Sequence, residues 1–246
     1  MTNSATRPTT KARAALLAYL LEGVRSSESL GLRAELAAWA DASGQLEAFL
    51  AAHADKVRKK LRVAGDDDAL LDVRAELLVA ALLCGNRRFA ITFEAYGRGK
   101  PRPDLTVVFR QNLRFNVEVT RLRPSGAVMA LRLQGPLLAK LRQLPAGVPN
   151  ALSLVTGEDA AVVAADVAPV VKQLKQLADR KEEAVFARRG YASAREFLAY
   201  LARLSGVLVV AEAPTAGTFW INLLARHPLP REVVNALVGC ASPSEK

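Results

Sequence analysis

Two carboxylates set in apolar runs are the residues of this chain best placed to do chemistry. Leu105-Thr106-Val107-Val108-Phe109 and Phe115-Asn116-Val117-Glu118-Val119 are short, β-branched and alternating, the pattern of paired strands. Between them Arg110-Gln111-Asn112-Leu113-Arg114 is polar and contains an Asn, as a hairpin turn requires. Asp104 stands at the mouth of the first run and Glu118 in the middle of the second. Strand period two puts Asn116, Glu118 and Thr120 on one face and Phe115, Val117 and Val119 on the other. A carboxylate inside an apolar strand is costly to bury unless a cation or a donor meets it. Asp104 and Glu118 can converge from neighbouring strands on one hard cation, and magnesium needs only one or two protein carboxylates. A nearby arginine is the alternative partner for Glu118.

Those elements carry a family resemblance. Pro103-Asp104, thirteen intervening residues and then Glu118-Val119-Thr120 resemble the signature of the PD-(D/E)XK nuclease superfamily. The resemblance implies an α/β, restriction-endonuclease-like core: a helix, a three-stranded meander, a second helix and a further strand in a mixed sheet. Here that core would carry an N-terminal helical extension. It also implies that Asp104 and Glu118 bind Mg²⁺ or Mn²⁺, with Glu76, in DDDALLDVRAELLVAALL, as a supporting ligand from the preceding helix. Glu94 is the runner-up ligand, and an arginine such as Arg87 is the alternative partner for Glu76.

Where the superfamily usually has Lys after Glu-x, this chain has Thr120. A hydroxyl can orient a water but carries no positive charge. Some superfamily members supply the lysine from the second helix, which makes Lys140 the candidate substitute beside a plain surface role. The implied activity is metal-dependent phosphodiester hydrolysis, with Asp104, Glu118, Thr120 and Lys140 as its catalytic group. The rival readings are a nucleic-acid-binding module that keeps the nuclease fold without catalysis, and a structural or regulatory protein that oligomerises through apolar N-terminal helices.

The charge distribution bears on the partner. The net charge is +10, and residues 87–142 hold twelve Lys or Arg against three acids, Glu94, Asp104 and Glu118. Nearly the whole excess therefore surrounds the two carboxylates, a field suited to a polyanion. Arg98, Lys100 and Arg102, in a glycine-containing loop before Asp104, and Arg121 and Arg123 after Glu118, are the candidate phosphate contacts. Nucleic acid is the expected partner, DNA ahead of RNA, and a homodimer is left open. The basic run Lys56, Arg58, Lys59, Lys60, Arg62 reads either as a solvated helix face or as a second phosphate contact.

The chain must position these residues with helices on both sides. Residues 1–10 are a polar tail, 11–64 an N-terminal helical region, 65–241 the nuclease-like domain and 242–246 a second tail. Asp66-Asp67-Asp68 suits a helix N-terminus, where carboxylates meet the positive end of the dipole. A first strand is expected over residues 89–96, helical pieces over 127–134 and 137–144 broken at Gly135-Pro136, and a fourth strand over 151–156. Further helices follow over 158–186 and 193–204, then strands over 204–212 and 218–223 and a short closing helix.

Cys84 and Cys240 have no metal-ligand spacing, which favours buried thiols in the cytoplasm. His53 and His227 are the only histidines and lack partners at zinc spacing. The apolar run 14–21 is short and is followed by Glu22, so neither secretion nor a membrane span is expected.

Overall fold

The computed structural model describes residues 10–24, 29–93, 103–213 and 217–240. Two compact units divide at Arg87/Arg88. The first holds five helices among its described residues: α1 (Thr10–Leu21), α2 (Ser29–Ala42), α3 (Gly44–Ala52), α4 (Ala54–Val63) and α5 (Asp67–Cys84). Leu20, Leu36, Leu46, Leu50, Leu61 and Leu77 are fully buried and form its apolar centre. Ser43 links two elements: its hydroxyl accepts from the Leu46 N–H at the start of α3 and donates to the Cys84 carbonyl at the end of α5. The acidic run behaves as its position predicts. Asp66 Oδ1 accepts from the Ala69 N–H at 2.7 Å, and Asp67 and Asp68 occupy the first turn of α5. His53 sits between α3 and α4 with its ring edge-on to Phe49. Burial, and then the charge of Lys56, lower its pKa.

The second unit is built on a mixed sheet of six strands in the order of the chain: β1 (Phe89–Phe93), β2 (Leu105–Phe109), β3 (Leu113–Leu122), β4 (Asn150–Thr156), β5 (Leu204–Ala211) and β6 (Gly217–Ile221). The first three strands run antiparallel, β3, β4 and β5 run parallel, and β6 returns antiparallel. Helix α6 (Met129–Leu141) connects β3 to β4, and α7 (Ala160–Asp179), α8 (Glu183–Ala187) and α9 (Ala194–Leu201) connect β4 to β5. The last helix, α10 (Arg231–Cys240), packs on β6. The fold is therefore α/β. Cys84 is buried and Cys240 half-buried, both as thiols. No helix among the described residues is long and apolar enough to cross a membrane.

Three local expectations are corrected. The helical pieces expected on either side of Gly135-Pro136 are one continuous helix, α6, with Pro136 inside it. An interior proline costs about 3 kcal/mol. Leu133, Leu137, Leu138 and Leu141 are each buried to within 2 % on the sheet side, worth roughly 2 kcal/mol apiece, so packing outweighs the proline. The Tyr191 hydroxyl donates to the Leu138 carbonyl at 2.5 Å and fixes the helix further. Strand β3 is longer than its apolar run and takes in Arg114 and Arg121. The fourth strand starts at Asn150 rather than Ala151. Of the first strand, residues 89–93 are observed and the remainder of the expected span lies outside the described residues.

The β2–β3 turn is carried by Arg110 and Gln111, at φ 48° and 65°, with the Asn112 N–H donating to the Phe109 carbonyl at 3.2 Å. This is the primed hairpin geometry that asks for Asn-Gly at its centre. Non-glycine residues pay for the left-handed region, so Gln111→Gly, at an exposed position, is expected to stabilise the protein by about 0.5–1 kcal/mol in urea denaturation.

A buried polar row crosses β2, β3 and β4 beside the carboxylates, on the face that carries Glu118. Thr106 Oγ1 donates to Asn116 Oδ1 at 3.1 Å, and Asn116 Nδ2 donates to Asn150 Oδ1 at 3.0 Å. Asn150 Nδ2 in turn meets the carbonyls of Pro145, Val148 and Arg203 at 2.8–3.0 Å. The three side chains are at most 3 % exposed. Replacing Asn150 with Leu leaves the Asn116 amide and those carbonyls to find new partners. Each orphaned buried group costs roughly 1–3 kcal/mol, so a loss of at least ~3 kcal/mol is expected, read from the urea midpoint.

Candidate active site

The β2–β3 register sets the geometry. Leu105 pairs with Val117 and Thr106 with Asn116, so Asp104, one residue before β2, lies opposite Glu118 on the face shared with Asn116. Asp104 is held by the chain itself: its Oδ2 accepts from the Val119 N–H at 2.8 Å. Helix α6 packs over this part of β3 and brings Lys140 to the pair. The ammonium lies 2.6 Å from Glu118 Oε1, 3.8 Å from Asp104 Oδ2 and 3.5 Å from Gln143 Oε1. Asp104, Glu118 and Lys140 thus form one cluster, 14 to 36 residues apart in sequence and joined by three elements.

Its electrostatics are unbalanced around Glu118, which is 1 % exposed. Burial pushes its carboxyl up from 4.5 to about 7, Asp104's charge adds to the rise, and Lys140 partly offsets both. Glu118 Oε2 has no hydrogen-bond partner among the described residues. A buried carboxylate oxygen left without a donor costs free energy comparable to a lost charged hydrogen bond. A group that titrates near neutrality and has an unsatisfied acceptor suits either proton transfer or cation binding.

The other candidates are distributed as follows. Thr120 is half-buried, one step along β3 on the Glu118 face. Arg121 is on the opposite face by strand alternation and is 8 % exposed, so it does not join the cluster. Arg123 is exposed beyond β3, and its carbonyl accepts from Arg132. Glu76 is on α5 in the N-terminal unit, where Lys60 Nζ donates to it at 2.6 Å. That lysine meets Glu76 from α4. Arg98, Lys100, Arg102 and Glu94 lie outside the described residues. Among the described residues no group of three or more His, Cys, Asp or Glu side chains is placed to hold a metal.

Sequence reasoning missed the Thr106–Asn116–Asn150 row and the Val119 N–H that orients Asp104. The signal for the row was an Asn two residues before Glu118 in an apolar strand, which a buried partner must satisfy. Compared with known proteins, the chain matches no family model, no curated protein and no solved structure.

Proposed function

We propose that the chain is a metal-dependent phosphodiester hydrolase of the PD-(D/E)XK type acting on nucleic acid, with Lys140 in place of the lysine that Thr120 lacks. The observation that carries this reading is the Lys140 ammonium beside both carboxylates, delivered by the helix that follows the meander. The element order supports it: α5, the antiparallel meander β1–β2–β3, α6 and the parallel strand β4 follow one another as in that superfamily's core. The residues fit a divalent ion, because Glu118 offers an unpartnered buried oxygen and two carboxylates suffice for magnesium. Asp104 and Glu118 would hold it. When bound, such an ion polarises a phosphate oxygen and lowers the pKa of a coordinated water.

The protein's own groups do the rest. Val119 N–H holds Asp104 Oδ2 in place beside Glu118. Lys140 neutralises Glu118 and offers an ammonium donor to a phosphate oxygen or to the attacking water. On the same face of β3, the Thr120 hydroxyl would orient a water. Arg123, exposed past the end of β3, and the remaining basic residues of 87–142 supply the field that holds a polyanion. Glu76, already engaged by Lys60, is left out of this ligand set.

The test is a cleavage assay on DNA and RNA with Mg²⁺ or Mn²⁺, run beside Glu118→Gln. Metal-dependent products that vanish in the variant are expected. Salt-sensitive binding without product in either protein would replace hydrolysis by the binding-module reading.

A further inference from the structure

We propose that the N-terminal helical unit carries its own nucleic-acid-binding trough, between α1 and α4, formed by Tyr19, Arg58, Lys59 and Arg62. A depression of about 430 Å³ is lined by these four residues and Val63. On α4 Arg62 lies four residues after Arg58 and three after Lys59, which groups the three basic residues around it, away from Val57 and Leu61, which are buried to 1 % and 0 %. The floor is fixed. Arg58 lies over the Tyr19 ring at 4.3 Å and pairs with Glu22, while the Tyr19 hydroxyl donates to Asp55. Glu22 and Asp55 are thereby already engaged. Lys59 and Arg62 stand exposed at its rim.

Charge complementarity selects the occupant. Helix α4 has five basic residues and one acid in its ten positions, ADKVRKKLRV, and Lys60 is committed to Glu76. A membrane surface would need the helix's apolar face for insertion. Here Val57 and Leu61 are spent inside the unit, and Val63, 73 % exposed, is the apolar residue α4 presents at the trough. A small phosphorylated ligand would need walls that enclose most of its surface. This trough instead has exposed basic residues along its edge, which suits an extended phosphate backbone with a sugar or base against Tyr19.

The experiment uses the full chain in EDTA, so that it reads binding and not cleavage. Anisotropy of a fluorescein-labelled DNA duplex, with the matching single strand and RNA alongside, is followed over a salt series. Lys59→Glu/Arg62→Glu changes two exposed positions and should leave the circular dichroism spectrum unchanged. Its affinity is expected to fall at least ~10-fold, and the slope of log K against log salt to become shallower by about two. If that variant fails to fold, Lys59→Gln/Arg62→Gln is expected to move both quantities in the same direction. Unchanged affinity and slope in a folded variant overturn the proposal. So does binding to phosphatidylserine vesicles with none to any oligonucleotide. Weakened binding in the variant, with no product from the wild-type chain in the separate Mg²⁺ or Mn²⁺ cleavage assay, would defeat the hydrolase reading and leave this one standing; metal-dependent cleavage with an unaltered salt slope would do the reverse.

Discussion

Asp104→Asn should abolish metal-dependent cleavage, by at least ~10²-fold, while leaving the fold intact. The substitution is nearly isosteric, and the retained Asn oxygen can still accept the Val119 N–H that Asp104 accepts at 2.8 Å. What disappears is one of the two charges that would hold the ion. A second effect follows from the same change. Asp104's charge is the second cause, after burial, of the raised Glu118 pKa. In the metal-free protein a carboxyl raised from 4.5 to about 7 contributes stability that is fully present below 4.5 and is lost as pH rises through about 7. Full expression of that shift amounts to roughly 3 kcal/mol at most. With Asn at 104 the Glu118 pKa moves down, and the pH dependence of stability between 4.5 and 7 should flatten. Single-turnover cleavage together with urea denaturation in EDTA at several pH values tests both halves. Undiminished cleavage would remove Asp104 from the site; an unflattened pH profile would mean that the two carboxylates do not feel each other.

The pairing of Asp104 with Glu118 was legible because it needs only local rules. Two alternating runs joined by a short polar link must form a hairpin, and strand periodicity then decides which residues share a face. The Asp66 cap was legible for the same reason, as its partner is three residues away. Pro136 shows where local rules fail. Gly-Pro reads as a break, yet four buried leucines on one stripe outweigh it, and their burial depends on strands that come later in the chain. The hairpin turn shows a milder failure: the Asn that suggested it lies just past the two left-handed residues.

Long-range polar partners were the least accessible. Asn116 meets Asn150 across 34 positions, and nothing in either neighbourhood names the other. Glu76 lay on an apolar stripe that demanded a cation, but whether Arg87 or Lys60 answered depended on how the helices pack. Lys140 entered the reading by family resemblance alone. Its 22-residue separation from Glu118 is bridged only once α6 runs unbroken over β3.

Lys140→Met is the sharper test, because it separates a counter-ion from a catalytic group. Methionine keeps much of the lysine stem's volume and removes the ammonium 2.6 Å from Glu118. Taking one partner from a buried ion pair costs about 3–5 kcal/mol when the other must stay charged. Glu118 has an escape, since it can bind a proton. Lys140 is what lowers its pKa, so without it the carboxyl rises beyond about 7. Below pH 5 the acid is then neutral in the folded variant and the deficit should shrink to about 1 kcal/mol. Above pH 8 the deficit should approach the full cost of the broken pair. Denaturation in EDTA at the two pH values reads the difference, and adding Glu118→Gln to the variant should erase the pH dependence by removing the titrating group. Cleavage supplies the other axis. If Lys140 acts on the phosphate or the water, Lys140→Met loses at least ~10²-fold in rate even where the fold is fully populated. Normal cleavage with a pH-dependent deficit would make Lys140 the counter-ion of Glu118 and nothing more. A deficit equal at both pH values would mean that the buried carboxyl does not depend on this lysine at all.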